Sequence, residues 1–261
     1  MKIYKFHFIE KESDITIISE SKKAILRAKN EFHHHRRILE EYIIKHKEFL
    51  NSFKPLKVQS NYKIINLMAQ AAFICDVGPM ATVAGAFADL MLETMKYPND
   101  DYSTAKIALI ENGGEIANDS EKPMKIALFA GINELGMNIG FLIKKEDCPI
   151  GIATSSATIG HAVSLGQADA VTIFAKNATI ADGAATKIGN IVKGIDIEKS
   201  IKKGLDAVDD LKDVRGVFIS RKNKIGISGK VPQMFKIKGD MELLLKEKIE
   251  YLFPGKFEIF K

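Results

Sequence analysis

The sequence predicts an α+β fold, on three observations. Strand-like runs cluster at the N-terminus and again from Ala105 onward, helix-like runs fill the stretches between, and the two kinds do not alternate in the βα order of a doubly wound parallel sheet. Apolar residues make up 46% and charged residues 27% of 261 positions, which suits a chain with a sizeable core and excludes disordered or collagen-like ones. No low-complexity linker or short repeat interrupts it, so residues 1–261 read as one domain, or as two closely packed lobes.

The elements follow in order. Alternation over Lys2–Ile9 and Asp14–Ser19 gives two strands of a hairpin or meander. Helical spacing of Ala24, Ile25, Ala28, Phe32, Leu39, Tyr42, Ile43 and Phe49, stopped by Pro55, gives one long helix or two joined helices over Ser21–Phe53. Leu56–Ser60 is strand-like and Lys63–Ile74 helical. Gly78-Pro79 then turns the chain into a helix over Ala81–Met95, where Ala81, Ala84, Gly85, Ala86 and Ala88 permit close packing against a neighbour, a ligand or a second copy in a homodimer. Strands are expected at Ala105–Ile110, Met124–Ala130, Gly136–Ile143, Pro149–Thr154 and Ala168–Phe174, mostly antiparallel. Helices follow at Ile180–Val192 and Ile197–Leu211, strands at Gly216–Ser220, Lys224–Ser228 and Gln233–Lys238, and a closing helix at Met241–Tyr251.

Charge and composition prune the function classes. The formal charge is +5, but lysines and arginines are interspersed with acids, which argues against a nucleic-acid surface and leaves a mild preference for anionic ligands. The apolar region Ile64–Leu92 is broken by Asp76 and Asp89, so no membrane span is expected. Met1–Phe8 lacks the apolar stretch of a signal peptide, and a cytoplasmic location is the expectation. Cys75 and Cys148 are too few for a disulfide framework; each reads as a buried structural thiol or a redox or sulfur-handling group. Dinucleotide-fold, P-loop, zincin and hydrolase-elbow motifs are absent. His33-His34-His35 cannot chelate one ion from successive helical positions and reads, beside Arg36 and Arg37, as a solvated basic face or an anion contact.

Three segments carry chemistry. Glu111-Asn112-Gly113-Gly114-Glu115 ends a strand with paired glycines that let backbone N–H groups approach a ligand, or simply make a hairpin turn. Thr154-Ser155-Ser156-Ala157-Thr158 supplies hydroxyls for phosphate oxygens or for a helix cap, with His161 within reach as a proton-transfer group. Asp182 and Thr186 lie at i, i+4 on one helical face, a pair suited to Mg²⁺ whose shell phosphate oxygens and water complete; the alternative is an acid favoured by the helix dipole.

In order, these segments resemble the ApbE superfamily of FAD-dependent, Mg²⁺-using flavin transferases. Asn112-Gly113-Gly114-Glu115 is similar to its N-x-G-G-D pattern, Thr154-Ser155-Ser156 to its T-S-G loop, and Ala181-Asp182-Gly183-Ala184-Ala185-Thr186 to its A-D-A-x-A-T metal-ligand element. The family's H-I-x-D-P-x-T-G element is represented by His161 alone, and its A-K-G-x-A-x-D helix by Ala86-Phe87-Ala88-Asp89. Val77-Gly78-Pro79-Met80-Ala81 with Asn112-Gly113-Gly114 resembles the cytoplasmic UPF branch of that superfamily. The resemblance implies an ApbE-like, T-fold-like architecture. It further implies Mg²⁺-dependent binding, cleavage or transfer chemistry on FAD or a related pyrophosphate nucleotide, with FAD or FMN as ligand and a protein hydroxyl as acceptor. On that reading Asp182 and Thr186 hold the metal, Asn112–Glu115 and Thr154–Ser156 orient the phosphates, and His161 takes the proton. The alternative within the same fold is a non-catalytic flavin- or nucleotide-binding protein, or a partner in sulfur assimilation.

Overall fold

The computed structural model describes residues 1–98, 102–128, 139–156, 166–237 and 258–259. Strands β1 (Tyr4–Glu10) and β2 (Ser13–Ser19) form the opening hairpin, followed by helices α1 (Lys22–Lys45) and α2 (Lys47–Asn51), joined at His46. Helix α3 (Lys63–Cys75), a short 3₁₀ turn (Pro79–Thr82) and helix α4 (Val83–Lys96) come next. Strands β3 (Ala108–Asn112), β4 (Glu115–Asn118), β5 (Met124–Leu128), β6 (Ile139–Ile143), β7 (Ile150–Ser155) and β8 (Ala170–Ala175) lead to helices α5 (Ala178–Ile191) and α6 (Ile197–Val208). Strands β9 (Val214–Arg221), β10 (Lys224–Gly229), β11 (Gln233–Lys236) and β12 (Glu258–Ile259) complete the described chain.

The strands form a nine-stranded sheet, ordered β10-β9-β8-β7-β4-β3-β2-β1-β12, and a three-stranded sheet, β11-β6-β5. Every pairing among the described residues is antiparallel. Both faces of the large sheet are covered, so its strands read as nearly continuous apolar runs rather than clean alternations. Ile110, Ala117, Ile173 and Ile219 point to the helices, whereas their neighbours Leu109, Ile116, Phe174 and Phe218 point to the core beneath the small sheet. Phe141 of β6 closes that lower core edge-to-face against Phe174 and Phe218.

Two expectations are corrected. Leu56–Ser60 joins no sheet: it crosses between α2 and α3, and Leu56 and Val58 lean on the core from an extended connection. The histidine triplet is not a uniformly solvated face, because three successive positions turn through roughly 200° of helix. His35 is therefore buried, with Nε2 2.9 Å from Glu31, while His33 stays half-exposed beside Glu10. The expected helix Met241–Tyr251 lies outside the described residues. No single helix among the described residues is long and apolar enough to cross a membrane.

The small residues of α4 are used inside the chain. A Cβ on Gly85 would meet the carbonyl oxygen of Ala178 at 2.3 Å, so α4 and α5 touch backbone to backbone at that point. Gly183 lets α5 also come near α3, where a Cβ would sit 3.1 Å from the Cys75 sulfur. The approach of α4 to α5 positions the site.

Candidate functional site

The site begins at the paired glycines. Asn112 and Glu115 face each other across a two-residue turn in which Gly113 and Gly114 adopt φ of 67° and 117°, a region that favours glycine. Strand alternation turns both flanking side chains toward the helices. The Asn112 Nδ2 donates to the carbonyl of Ala84 at 3.1 Å and ties this hairpin to the first turn of α4.

That first turn has unsatisfied N–H groups, as every helix start does. Thr82 precedes the helix but spends its hydroxyl on the Pro79 carbonyl at 2.8 Å, so it caps nothing. The cap comes from α5: Asp182 Oδ2 accepts from the Gly85 N–H at 3.0 Å, and the Ala84 N–H bonds to the same carboxylate. The arrangement is reciprocal. Asp89 of α4 accepts from the Ala178 N–H at 2.9 Å, the Thr179 N–H at 2.8 Å and the Thr179 hydroxyl, capping the start of α5.

Desolvation dominates the electrostatics. Burial pushes the Asp182 carboxyl up to about 7 against the pull of the Gly85 and Ala84 N–H groups, and the charge of Asp89 adds to the rise. Glu115 is raised well above the ordinary carboxylate range by burial and then by the charges of Asp182 and Glu111. Two desolvated carboxyls therefore confront each other at the N-terminus of a helix.

Two cavities, each about 750 Å³, lie nearby, one lined by Glu115 and the other by Thr186. One reaches Asn112, Gly113 and Glu115 and is walled by Leu39, Ile43, Leu50, Met80, Val83 and Phe87. Arg36 closes its rim, donating to Glu40 at 2.8 Å and to Glu12 at 2.7 Å. The other cavity contains Thr186, Lys187 and Asn190 of α5 opposite Ser52, Asp76 and Gly78. Leu50 and Met80 line both.

The structure brings together Asn112, Gly113, Glu115 and Asp182 from the sequence-predicted set, with Gly114 in the turn between them and Thr186 one helical turn beyond Asp182. It does not bring Thr154 there. That side chain points to the opposite face of the sheet, where its hydroxyl bonds to Thr172 at 2.9 Å. Ser155 faces α5, but at Gly189, about 10 Å along the helix from Asp182. Ser156 is the last described residue of its segment, and Ala157, Thr158 and His161 lie outside the described residues. Sequence reasoning placed Asp89 only through its likeness to the A-K-G-x-A-x-D helix, gave it no role, and missed the N–H groups of Ala84 and Gly85. The available signal was a glycine four residues before an acid within an apolar helix of small side chains.

A donor set for Mg²⁺ can be judged from what is present. Among the described residues no group of three or more His, Cys, Asp or Glu side chains is disposed to hold a metal. Two repelling, desolvated carboxylates with a nearby hydroxyl nonetheless fit an ion that takes one or two protein carboxylates and fills its shell with phosphate oxygens and water. Neither thiol is activated. Cys75 is buried, donates to the Ile180 carbonyl at 3.6 Å and is pushed up to about 12 by desolvation; burial likewise raises Cys148, which contacts Asn118 and the Lys144 carbonyl.

The architecture is that of an ApbE-like α+β protein. It is similar to the apo flavinyl transferase ApbE of Pseudomonas stutzeri (TM-score 0.54, 12% identity, covering 88% of this chain and 96% of that one). A variant of the flavin transferase ApbE from Vibrio cholerae gives a TM-score of 0.53 at 12% identity, covering 88% and 98%. More particularly, the chain belongs to the UPF0280 branch of the ApbE superfamily: the family model described as AbpE bacteria matches residues 2–219. A UPF0280 protein of Methanocaldococcus jannaschii is 40% identical over 247 residues, 94% of this chain and 97% of that protein. One from Methanococcus maripaludis strain S2 is 41% identical over 239 residues, 90% and 94%.

Proposed function

We propose that this protein binds FAD or a related pyrophosphate nucleotide together with Mg²⁺, and that it cleaves the pyrophosphate or transfers the flavin phosphate to a hydroxyl. The carrying observation is the pair of desolvated carboxyls, Asp182 and Glu115, at the start of α4, with one ligand-sized cavity lined by Glu115 and another by Thr186, one helical turn from Asp182. The solved ApbE proteins, whose fold it shares, are named as flavin transferases.

On this reading Asp182 and Thr186 hold the metal, and Glu115 adds its carboxylate. When bound, Mg²⁺ supplies charge neutralisation to the pyrophosphate and to the departing AMP. The Asn112–Gly114 turn orients the phosphate chain, and Asn112 keeps that turn in register with α4 through its bond to Ala84. The Ala84 and Gly85 N–H groups fix the Asp182 carboxylate in place. His161 remains the proposed acceptor of the proton from an attacking hydroxyl or water, with Ser156 as a further phosphate donor. A protein hydroxyl is the proposed acceptor, and the proposed location is the cytoplasm. The non-catalytic alternative needs the same binding site and differs only in forming no product. A sulfur-handling role draws no support from either thiol, since both are held protonated.

The test is a thermal-shift titration of wild type and Asp182→Ala with FAD, FMN, ADP and AMP, each with and without Mg²⁺. Stabilisation that requires both Mg²⁺ and a pyrophosphate, and is lost in the variant, is expected. Absence of any shift at millimolar ligand would overturn the proposal. Release of AMP from FAD separates enzyme from binding protein.

A further inference from the structure

The cavity on the Thr186 side holds two charged side chains, Lys187 and Asp76, and they are bonded to each other. Lys187 follows Thr186 on α5. Asp182, Thr186 and Asn190 rise along that helix at i, i+4 and i+8, each partly open, while Ala181, Ala184, Ala185, Ile188 and Gly189 between them are buried. A polar stripe therefore leads from the carboxyl pair into this cavity. Asp76 stands across from it as the left-handed C-cap of α3, at φ 51° and ψ 51°.

The ion pair is poorly placed to serve the fold. Its carboxylate side chain is 69% exposed, and pairs so open to water contribute little to stability. It is well placed to serve a ligand. Lys187 is two-thirds covered, stands beside Thr186, and can exchange a single screened carboxylate for the denser charge of a phosphate. The neighbouring cavity carries more charge, with Lys11, Glu12, Arg36, Glu40, Lys47 and Glu115 in its lining, but Leu39, Ile43, Met80, Val83 and Phe87 give it an aliphatic and aromatic wall against which a flat ring can lie.

We infer that Lys187 is the residue that binds the substrate's phosphate on the side of the departing nucleotide half, and that Asp76 is its resting partner and competitor for the anion. This rests on the pyrophosphate-nucleotide reading and adds which half of the substrate enters which cavity. The phosphate-bearing adenosine half lies along Thr186, Lys187 and Asn190, and the ring system lies between Leu39, Met80 and Phe87.

The two partners of the pair give opposite signs when removed. Calorimetric titration with Mg²⁺ present compares wild type, Lys187→Met, Lys187→Arg and Asp76→Asn against ADP, FAD and riboflavin. Lys187→Met is expected to weaken ADP and FAD about tenfold and leave riboflavin unchanged, Lys187→Arg to keep most of the affinity, and Asp76→Asn to tighten ADP and FAD roughly twofold to fivefold. A pair that only braces the fold lowers the melting temperature of both variants and moves their affinities in the same direction or not at all. Wild type that binds FAD with Lys187→Met unaltered overturns this inference and leaves the proposed function standing. Lys187-dependent binding of ADP without any binding of FAD keeps the inference and removes the flavin reading. Wild type that binds none of the phosphorylated ligands overturns both.

Discussion

Asp89 and Asp182 do the same thing to each other's helix and end up with different chemistry. Each projects from one member of the α4–α5 pair and accepts N–H groups from the start of the other. Asp89 is filled by three donors, two backbone and one hydroxyl, and is raised to about 6 chiefly by burial. Among the described residues Asp182 accepts from the Gly85 and Ala84 N–H groups, meets a second carboxyl in Glu115, and is raised to about 7. A carboxylate that gives three of its roughly four acceptor sites to one helix start is a structural cap. One that caps, keeps free lone pairs and faces a like charge is a place where a cation is welcome.

The severest way to break the comparison is to separate the helices. Gly85→Ala sets a methyl group against the Ala178 carbonyl, a backbone atom that cannot swing aside, and should destabilise the protein by about 3 kcal/mol. Thermal unfolding should show the loss with or without ligand. Asp89→Ala comes next, at about 2 kcal/mol, because it strands two N–H groups at the start of α5. Asp182→Ala should cost only about 1 kcal/mol and yet abolish stabilisation by Mg²⁺ with nucleotide. Equal costs for the two aspartates, or equal ligand responses, would dissolve the distinction.

A pH titration sharpens it. The folded-state value of Asp89, about 6, exceeds its ordinary value of 3.8, so the folded protein holds that proton more tightly than the unfolded chain. Its contribution is complete below about pH 4 and is lost as pH rises through 6. The melting temperature of wild type should therefore fall by roughly 5 °C between pH 4.5 and 7.5 relative to Asp89→Asn, which has no proton to lose there. A parallel profile in the two proteins would refute the assignment. The smallest expected effect is on the thiols: Cys75, buried and raised to about 12, should resist alkylation in the native protein at pH 8 and react only on unfolding.

Much of the fold was legible in the chain. Helical spacing located α1 to α6 and apolar runs located most strands, because burial of a stripe or face leaves a periodic trace. Strand β4 was missed: Glu115–Asn118 is only four residues long and follows directly on a turn, too short for an alternation to register. Leu56–Ser60 misled because a half-buried extended connection has the same composition as an edge strand. In the candidate site, the cluster of Asn112, Gly113, Gly114, Glu115 and Asp182, with Thr186 one turn on, was legible because turn chemistry and i, i+4 spacing are local. Thr154 was grouped with them on composition, and the two-residue period of its strand sent it to the other face.

Local patterns in the chain are enough for the α+β class, the likeness to the ApbE superfamily and the helix that carries Asp182 and Thr186, because each depends on neighbours a few residues apart. That Asp182 meets Glu115 and the start of α4, and that Asp89 returns the cap, is settled by long-range packing. Those bonds join residues 89 to 97 positions apart, and no local pattern encodes them. They exist because Gly85 lacks a side chain, which lets α4 and α5 approach until each supplies the acceptor that the other's first turn needs.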